Sequence, residues 1–148
     1  MEQEKQQVLR TELETVLGEV CQLPEFGALA ELLQGEALVL RYLAGHREET
    51  VYPSDLSLVL RLSRPRITGA LRSLHRKGLL RLAPCLQDKR RIRVSITEAG
   101  LARIDRQLAE VDSYFDRMIA GLGEEDTRTL NTLIRRCVDI MQTEEELP

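Results

Sequence analysis

Positive charge is concentrated in one short part of this sequence. Residues 61–93 hold eleven of the chain's 21 Lys and Arg but only one of its 24 Asp and Glu, which is Asp88. That segment carries +10 and the rest of the chain −13, although the net charge of the whole chain is only −3. Such segregation predicts a basic surface that meets a polyanion, with acidic flanks held away from it. A solvated basic face without a partner is the alternative.

Two short helices with a tight junction are predicted at the start of the basic segment. Ser54 and Asp55 supply cap chemistry for a helix reaching about Leu60, and Ser63 caps a second helix through about Lys77. The second helix is amphipathic and basic on its outward side, which is typical of a helix-turn-helix. Its inward stripe is Ile67, Ala70, Leu71 and Leu74, and its outward residues are Arg64, Arg66, Thr68, Arg72 and Arg76, with Pro65 in the first turn.

A change of period after Gly78 predicts a β-hairpin. Residues 79–82 form a short extended run that Pro84 limits, and residues 91–96 alternate between apolar and polar side chains. Ile92, Val94 and Ile96 share the apolar face of the second strand. A charged loop, residues 85–90, joins the two runs, so the hairpin has a basic tip. A hairpin of this kind beside a helix-turn-helix is a wing.

Helices are predicted on both sides of this module. They cover residues 6–23, a helical pair within 28–45, and a long helix capped by Thr97. The long helix has a seam of 3.5-residue period that Gly121 and Gly123 break, and a last helix follows from about residue 124. The expected architecture is mainly α with a small β-hairpin, a winged helix-turn-helix flanked by helical dimerisation segments. We predict a single domain, 1–148, with DNA-binding residues 34–97 and dimerisation segments 1–23 and 98–145.

Composition narrows the function classes. No apolar run approaches a membrane span of about 18 residues, and the N-terminus lacks the apolar core of a signal peptide. Three Cys without a CxxC pair favour a reducing compartment, so we expect a cytoplasmic protein. No Gly-rich phosphate loop, nucleophile elbow or HExxH motif is present. We therefore expect no enzyme, no cofactor and no metal site.

At the level of motifs the chain resembles the MarR family of bacterial winged helix-turn-helix transcription regulators. Asp88-Lys89-Arg90, five residues and then Ile96-Thr97 match the family pattern D-x-R-x5-L-T, with Ile in place of Leu. The stretches 62–64, 78–81 and 98–100 resemble the family's recognition-helix start, its exit from that helix and its E-A-G continuation. The chain departs from many relatives at Gly69 and Arg72. The resemblance implies that Arg90 enters the minor groove, that Asp88 holds its guanidinium in position, and that terminal helices form a two-fold dimer.

The predicted DNA-binding residues combine the outward face of the second helix with the tip of the wing. Arg near the start of a recognition helix commonly reads guanine, and a guanidinium at the wing suits the narrow minor groove. The set is Ser63, Arg64, Pro65, Arg66, Thr68, Arg72, Arg76, Asp88, Lys89, Arg90 and Arg91.

The predicted dimerisation residues lie on the apolar stripes of the terminal helices. A dimer presents two recognition helices about 34–36 Å apart, which matches a pseudo-palindromic double-stranded DNA operator. The set is Leu9, Leu13, Val16, Leu101, Leu108, Val111, Phe115, Leu130 and Ile134.

The expected function is that of a sequence-specific DNA-binding repressor, a homodimer that a small-molecule effector releases. The alternative is a winged-helix module for protein interaction or for non-specific architectural DNA binding. The operator, the effector and the choice between repressor and activator stay open. Cys21 and Cys137 are expected to be core thiols and Cys85 an exposed one, and a metal or redox role for Cys21 or His46 is the less favoured reading.

Overall fold

The computed structural model describes residues 1–145, so the last three residues of the predicted domain 1–148 lie outside the described part. Residues 1–145 contain six helices and one antiparallel pair of strands, the mainly α architecture with a small hairpin that the sequence predicts. The elements are α1 (Glu2–Gln22), α2 (Pro24–Leu32), α3 (Gly35–Gly45), α4 (Pro53–Leu60), α5 (Arg64–Arg76), β1 (Leu80–Pro84), β2 (Ile92–Ile96) and α6 (Glu98–Glu145). No helix within residues 1–145 has the length and apolar character needed to cross a membrane.

The chain divides into two compact units, Met1–Val111 and the part that begins at Asp112. The first unit contains the hydrophobic core, to which α3, α5 and the hairpin contribute most of the buried side chains. Within α6, Gly123 has φ 80° and ψ 170°, so helical geometry is interrupted there. This confirms the break that the sequence predicts at Gly123, whereas Gly121 remains helical.

The helix-turn-helix junction is built by α4 and α5. The predicted cap at Ser54 was wrong: α4 begins at Pro53, and its N-cap is Tyr52, whose backbone N–H donates to Asp55 Oδ2 at 2.9 Å. Asp55 thus caps the helix as expected, but by reaching back three residues as an N3 carboxylate does. At the other end Arg61 takes the left-handed conformation with φ 54°, and the Ser57 hydroxyl donates to the Leu62 carbonyl at 2.6 Å.

The inner face of α5 confirms the predicted stripe. Ile67, Ala70, Leu71 and Leu74 are all buried, while the residues between them are mostly exposed. A helix that buries one stripe in this way is fixed in its rotation about its own axis. The outward residues of α5 therefore have a defined direction.

The hairpin has the register Leu80↔Ile96, Leu82↔Val94 and Pro84↔Ile92. Paired residues of an antiparallel ladder share a face, so these three pairs form one side of the wing. Val94 is buried as predicted and also bridges to Val51. Ile92 shares this face with Val94 and Ile96 as predicted, but it lies at the outer end of the strand and is 48% exposed.

The start of α6 is tied to the hairpin through Thr97. The Thr97 hydroxyl donates to the Gly78 carbonyl at 2.7 Å and accepts from the Gly100 N–H at 3.1 Å, which confirms Thr97 as the predicted cap. Gly100 is buried against the hairpin, and a Cβ there would overlap the Leu79 carbonyl oxygen and lie 2.7 Å from Ile96 Cγ1. The helix approaches the strand so closely that only glycine fits.

This close approach gives a prediction for stability. Gly100→Ala should lower the free energy of unfolding by about 2–4 kcal/mol, because the added methyl group meets backbone that has to move. Gly69→Ala is the matched control: it also lies inside a helix, but a Cβ there meets nothing within 4 Å. It should raise stability by about 0.5–1 kcal/mol through helix propensity. Urea unfolding of both variants measures the difference, and equal effects would contradict the close approach.

Candidate nucleic-acid interface

The predicted recognition helix presents its polar residues to solvent. Every predicted contact residue on it is exposed, and the four apolar residues of its stripe are buried. The exposed set is Ser63, Arg64, Pro65, Arg66, Thr68, Arg72 and Arg76. Because α5 has no acidic residue in its first turn, the positive end of its helix dipole is not neutralised there.

Ser63 is the N-cap of α5. Its Oγ accepts a hydrogen bond from the Arg66 backbone N–H at 3.3 Å. A hydroxyl that accepts in this way still has its own proton to donate, so Ser63 can cap the helix and donate to a phosphate oxygen at the same time.

Arg64 and Arg66 do not point to the same place. Two residues along an α-helix correspond to a rotation of about 200°. Arg64 and Thr68 line a cavity of about 170 Å³ together with Pro53 and Ser54 of α4. Arg66 lines a different cavity, of about 410 Å³, on the other side of α5. The two arginines are both neighbours of Pro65 in the sequence, but the helix directs their side chains to different sides.

The larger cavity lies between the α2–α3 junction, α5 and the beginning of α6. Arg66, Lys77 and Arg103 contribute positive charge to its lining, and Glu31 and Glu36 contribute negative charge. Lys77 Nζ lies 3.0 Å from Glu36 Oε2. Partial burial raises the pKa of Glu36, but hydrogen bonds from Ser73 and Lys77 outweigh it and leave that pKa below its ordinary value. The Glu36 carboxylate is thus held ionised by α5.

The wing loop is ordered through its backbone. Asp88 Oδ1 accepts from the Arg90 N–H at 3.0 Å, and the Asp88 carbonyl accepts from the Arg91 N–H at 3.0 Å. The family resemblance implied that Asp88 holds the guanidinium of Arg90. In the structure the Asp88 carboxylate instead accepts from the backbone N–H of Arg90. Lys89 and Arg90 are exposed, so the tip of the wing keeps its positive charge accessible.

Arg91 connects the wing to the start of α4. Its guanidinium carbon lies 3.6 Å from the centre of the Tyr52 ring, which is cation–π geometry. The Tyr52 hydroxyl and Cys85 Sγ form a hydrogen bond of 3.4 Å. Tyr52 therefore contacts both ends of the wing loop, a role that the sequence analysis missed because nothing in the local pattern brings residue 52 near residues 85 and 91.

The burial of the three cysteines is the opposite of what the sequence predicts. Cys85 is buried, whereas Cys21 and Cys137 are exposed in the chain. Cys85 follows the last residue of β1 and packs under Tyr52, while the helices that carry the other two turn those positions outward. Hydrogen bonds from the Tyr52 hydroxyl and from the backbone N–H groups of Asp88 and Gln87 lower the pKa of the Cys85 thiol.

Pro53 and Ser54 lie between the recognition helix and the wing. They line the cavity beside Arg64 and Thr68, and they also line a second cavity of about 230 Å³ with Arg90 and Arg91. Neither residue was predicted as part of the site. The sequence did offer one signal for them. Both residues lie at the start of the first helix of the helix-turn-helix, and the backbone N–H groups at a helix start have no partners within the helix.

The predicted dimerisation residues fall into two groups. Leu101 and Leu108 are half-buried and Val111 is 4% exposed, and the last two pack with the core of the chain itself, so their apolar character needs no partner. By contrast, α1 buries no residue, and Leu9, Leu13 and Val16 are 64%, 60% and 56% exposed. In the unit that begins at Asp112, Phe115 and Ile134 are exposed and Leu130 is half-buried.

Residues 1–145 contain no group of three or more His, Cys, Asp or Glu that is arranged to hold a metal ion. His46 was considered as a metal ligand from the sequence, but its ring contacts Tyr42. Its Nδ1 lies 2.7 Å from the Tyr42 carbonyl oxygen, and its ring stacks on the Tyr42 ring with the centres 4.0 Å apart.

Comparison with known sequences identifies relatives of this module. Residues 29–91 match the model of the MarR family. The homoprotocatechuate degradative operon repressors of Escherichia coli and Shigella flexneri are each 28% identical to this chain over 93 residues. That region is 62% of this chain, and the chain spans 62% of the length of these curated relatives.

Solved structures share the fold. The YusO protein of Bacillus subtilis superposes with a TM-score of 0.70 at 16% identity, over 94% of this chain and 98% of that one. The heme sensor protein PefR of Streptococcus agalactiae, solved with heme, gives 0.65 at 20% identity over 98% and 97% of the two chains. A mutant of MepR from S. aureus, bound to an oligodeoxyribonucleotide, gives 0.61 at 19% identity over 89% and 97%. At these identities the likeness extends to the fold.

The contacts of Tyr52 give a prediction with a matched pair of variants. Tyr52→Phe keeps the ring under Arg91 but removes the hydroxyl, so the pKa of Cys85 should rise toward its ordinary value while the wing loop stays ordered. Tyr52→Leu removes both contacts and should also speed amide hydrogen exchange in residues 86–91 by about threefold to tenfold.

The pH dependence of alkylation, with Cys21 and Cys137 replaced by Ser, measures the Cys85 pKa. Hydrogen exchange followed by mass spectrometry measures the loop. Identical behaviour of the Phe and Leu variants in both assays would contradict the stacking of Arg91 on the ring.

Proposed function

We propose that this chain, whose residues 29–91 match the MarR family model, is a sequence-specific, double-stranded DNA-binding transcription regulator. It acts as a homodimeric repressor that a small-molecule effector releases from its operator, and it works in the cytoplasm. The family is one of transcription regulators, so the chain is proposed to bind rather than to catalyse.

One observation carries this proposal: the excess positive charge lies on the exposed side of α5 and at the tip of the wing. Most apolar residues of 61–93 are buried, which leaves the basic residues of that segment at the surface. A surface with eleven cations and one carboxylate in its sequence attracts a polyanion and releases counterions when it binds. The convex helix and the projecting hairpin fit the two grooves of B-DNA.

In the proposed complex α5 occupies the major groove. Arg64 and Thr68 face the side of α5 next to the start of α4, which makes them the preferred base readers. Arg66 faces the other way, and with Arg72 and Arg76 it is assigned to the DNA backbone or to the groove edge. A well-placed Arg that reads guanine contributes about 1–3 kcal/mol of discrimination.

The two arginines of the wing have different proposed roles. Arg90 is exposed and its backbone is held by Asp88, so it is the residue that enters the minor groove. Arg91 stacks on Tyr52 and fixes the wing to the start of α4. Arg91 adds to the positive charge of the surface, but its proposed role is to hold in place the loop that carries Arg90. Lys89 is free to meet a phosphate.

The proposed homodimer rests on apolar surface that the single chain leaves uncovered. On α1, a helix without any buried residue, Leu9, Leu13 and Val16 form a stripe at helical spacing. A second copy of the chain is the occupant that suits a two-fold DNA site, because two recognition helices then read two half-sites. The segments 1–23 and 98–145 are the proposed dimerisation segments, and in the second of them Phe115 and Ile134 are exposed.

The proposed effector site is the cavity of about 410 Å³ beside α5. Leu74 belongs to the recognition helix and Lys77 is its C-cap, whereas Glu36 and Arg103 belong to α3 and α6. A small molecule that separates Lys77 from Glu36 therefore acts directly on the helix that reads DNA. This is the most direct route in the first unit from a bound ligand to DNA release.

The first test is selection from a pool of random duplexes at near-physiological salt. We expect a pseudo-palindrome with half-sites about one helical turn apart. On that duplex Arg90→Ala should weaken binding by about tenfold or more and reduce the salt dependence, whereas Arg128→Ala, which removes an exposed arginine outside the basic segment, should not. Weak, salt-sensitive binding without enrichment would instead favour a protein partner or a non-specific architectural role.

The second test concerns the dimer. Leu13→Glu places a charge in the α1 stripe and should shift the protein to monomer, because an unpaired charge at an apolar interface is strongly unfavourable. Leu58→Glu is the control, since Leu58 is 81% exposed on α4 and belongs to no proposed interface. Light scattering coupled to gel filtration measures the mass. A Leu13→Glu protein that remains a tight dimer would remove α1 from the interface.

A further inference from the structure

The inner side of the wing is an apolar stripe that extends beyond the core. In β1 and β2 the pairs Leu80↔Ile96, Leu82↔Val94 and Pro84↔Ile92 lie on this side. Leu80 and Val94 are buried, but the outermost pair is not, and Ile92 is 48% exposed. The stripe thus begins in the core and ends in solvent.

Leu86 follows beyond the strand and continues the apolar character into the loop. Its side chain is 91% exposed. A single exposed leucine needs no explanation, but Pro84 and Ile92 are paired at the outer end of the hairpin, and Leu86 follows two residues beyond Pro84 in the loop that joins them. We call these three residues the apolar edge of the wing. The loop beside it is held in shape by Asp88 and Tyr52, so the edge is presented by an ordered structure.

Positive charge surrounds this edge. Lys89, Arg90 and Arg91 follow Leu86 in the loop, and Arg81 and Arg93 lie on the opposite side of the hairpin from the stripe. An apolar protein partner at this edge would meet the cations of the loop. A polyanion with apolar walls satisfies both features, and the minor groove of duplex DNA has that character, since phosphates border it and the C–H groups of deoxyribose form its walls.

We propose that the apolar edge, led by Leu86, packs against the deoxyribose wall of the minor groove while Arg90 enters that groove. This inference rests on the proposed DNA-binding function and adds a second kind of contact to it. Arg90 supplies the electrostatic part of the wing contact, and Leu86 supplies a part that depends on the removal of apolar surface from water. The contact carries no base identity, so it contributes to affinity for every sequence.

The two kinds of contact differ in their response to salt. The slope of log K against log salt is negative, and replacing a cation that meets the phosphate field makes it less steep, by about 0.9 for each phosphate no longer neutralised. Replacing an apolar side chain releases no counterions and leaves that slope unchanged. The chain therefore offers a direct comparison between Leu86→Ala and Arg90→Ala in the same loop.

The experiment measures binding to mixed-sequence duplexes of about 30 base pairs, or three helical turns, over a series of salt concentrations. Leu86→Ala should weaken binding by about threefold to tenfold at every salt concentration, with the wild-type slope. Leu86→Met, which keeps most of the apolar surface, should stay within about twofold of wild type. Leu33→Ala is the matched control, because Leu33 is also exposed, in the same unit, but lies outside the basic segment.

The outcomes separate this inference from the proposed function. If Leu86→Ala binds as tightly as Leu33→Ala, or if its salt slope becomes less steep as that of Arg90→Ala does, the apolar contact is overturned while DNA binding stands. A wild-type chain that binds no duplex overturns both. Unchanged thermal unfolding of Leu86→Ala, expected for a side chain so exposed, assigns a loss of affinity to the contact itself.

Discussion

The packing of the inner face of α5 determines where the positive charge of this molecule points. Ile67 and Leu74 are each 1% exposed, and together with Leu71 they fix the helix against α3 and α4. A helix that could roll would present a changing set of arginines, whereas this one presents a fixed set. The burial of a few apolar side chains in the core is thus what converts a basic sequence into a basic surface with a direction.

The wing depends on the same core through a short chain of contacts. Gly78 ends the recognition helix, Thr97 donates its hydroxyl to the Gly78 carbonyl, and Gly100 lets the first turn of α6 approach the backbone of Leu79. One threonine and one close glycine therefore hold the end of α5, the base of the hairpin and the start of α6 in one arrangement. Movement of α6 relative to α5 is resisted at this point, so the wing and the recognition helix keep a constant relation within the first unit.

The sequence predicts the elements well where a single period dominates. The stripe of α5, the cap at Ser63 and the alternation of β2 are local properties, and the structure confirms them. Contacts between distant residues leave no such periodic signal: Tyr52 reaches Cys85 and Arg91 across more than 30 positions, so the exposure of Cys85 was predicted wrongly. Arg64 and Arg66 are also near neighbours in the sequence. The rotation of the helix between them makes them face different cavities.

In the proposed complex with duplex DNA, a basic surface alone does not account for the contribution of the wing to binding. Electrostatic attraction is strong but falls steeply as salt rises, and it treats all sequences alike. Contacts that exclude water from apolar surface keep their strength at high salt. In the proposed complex, a loop that carries both Arg90 and Leu86 therefore combines one term that salt weakens with one that salt leaves unchanged. Since Asp88 and Tyr52 order that loop before any DNA is present, the proposed entry of both side chains into the groove costs little conformational entropy of the loop backbone.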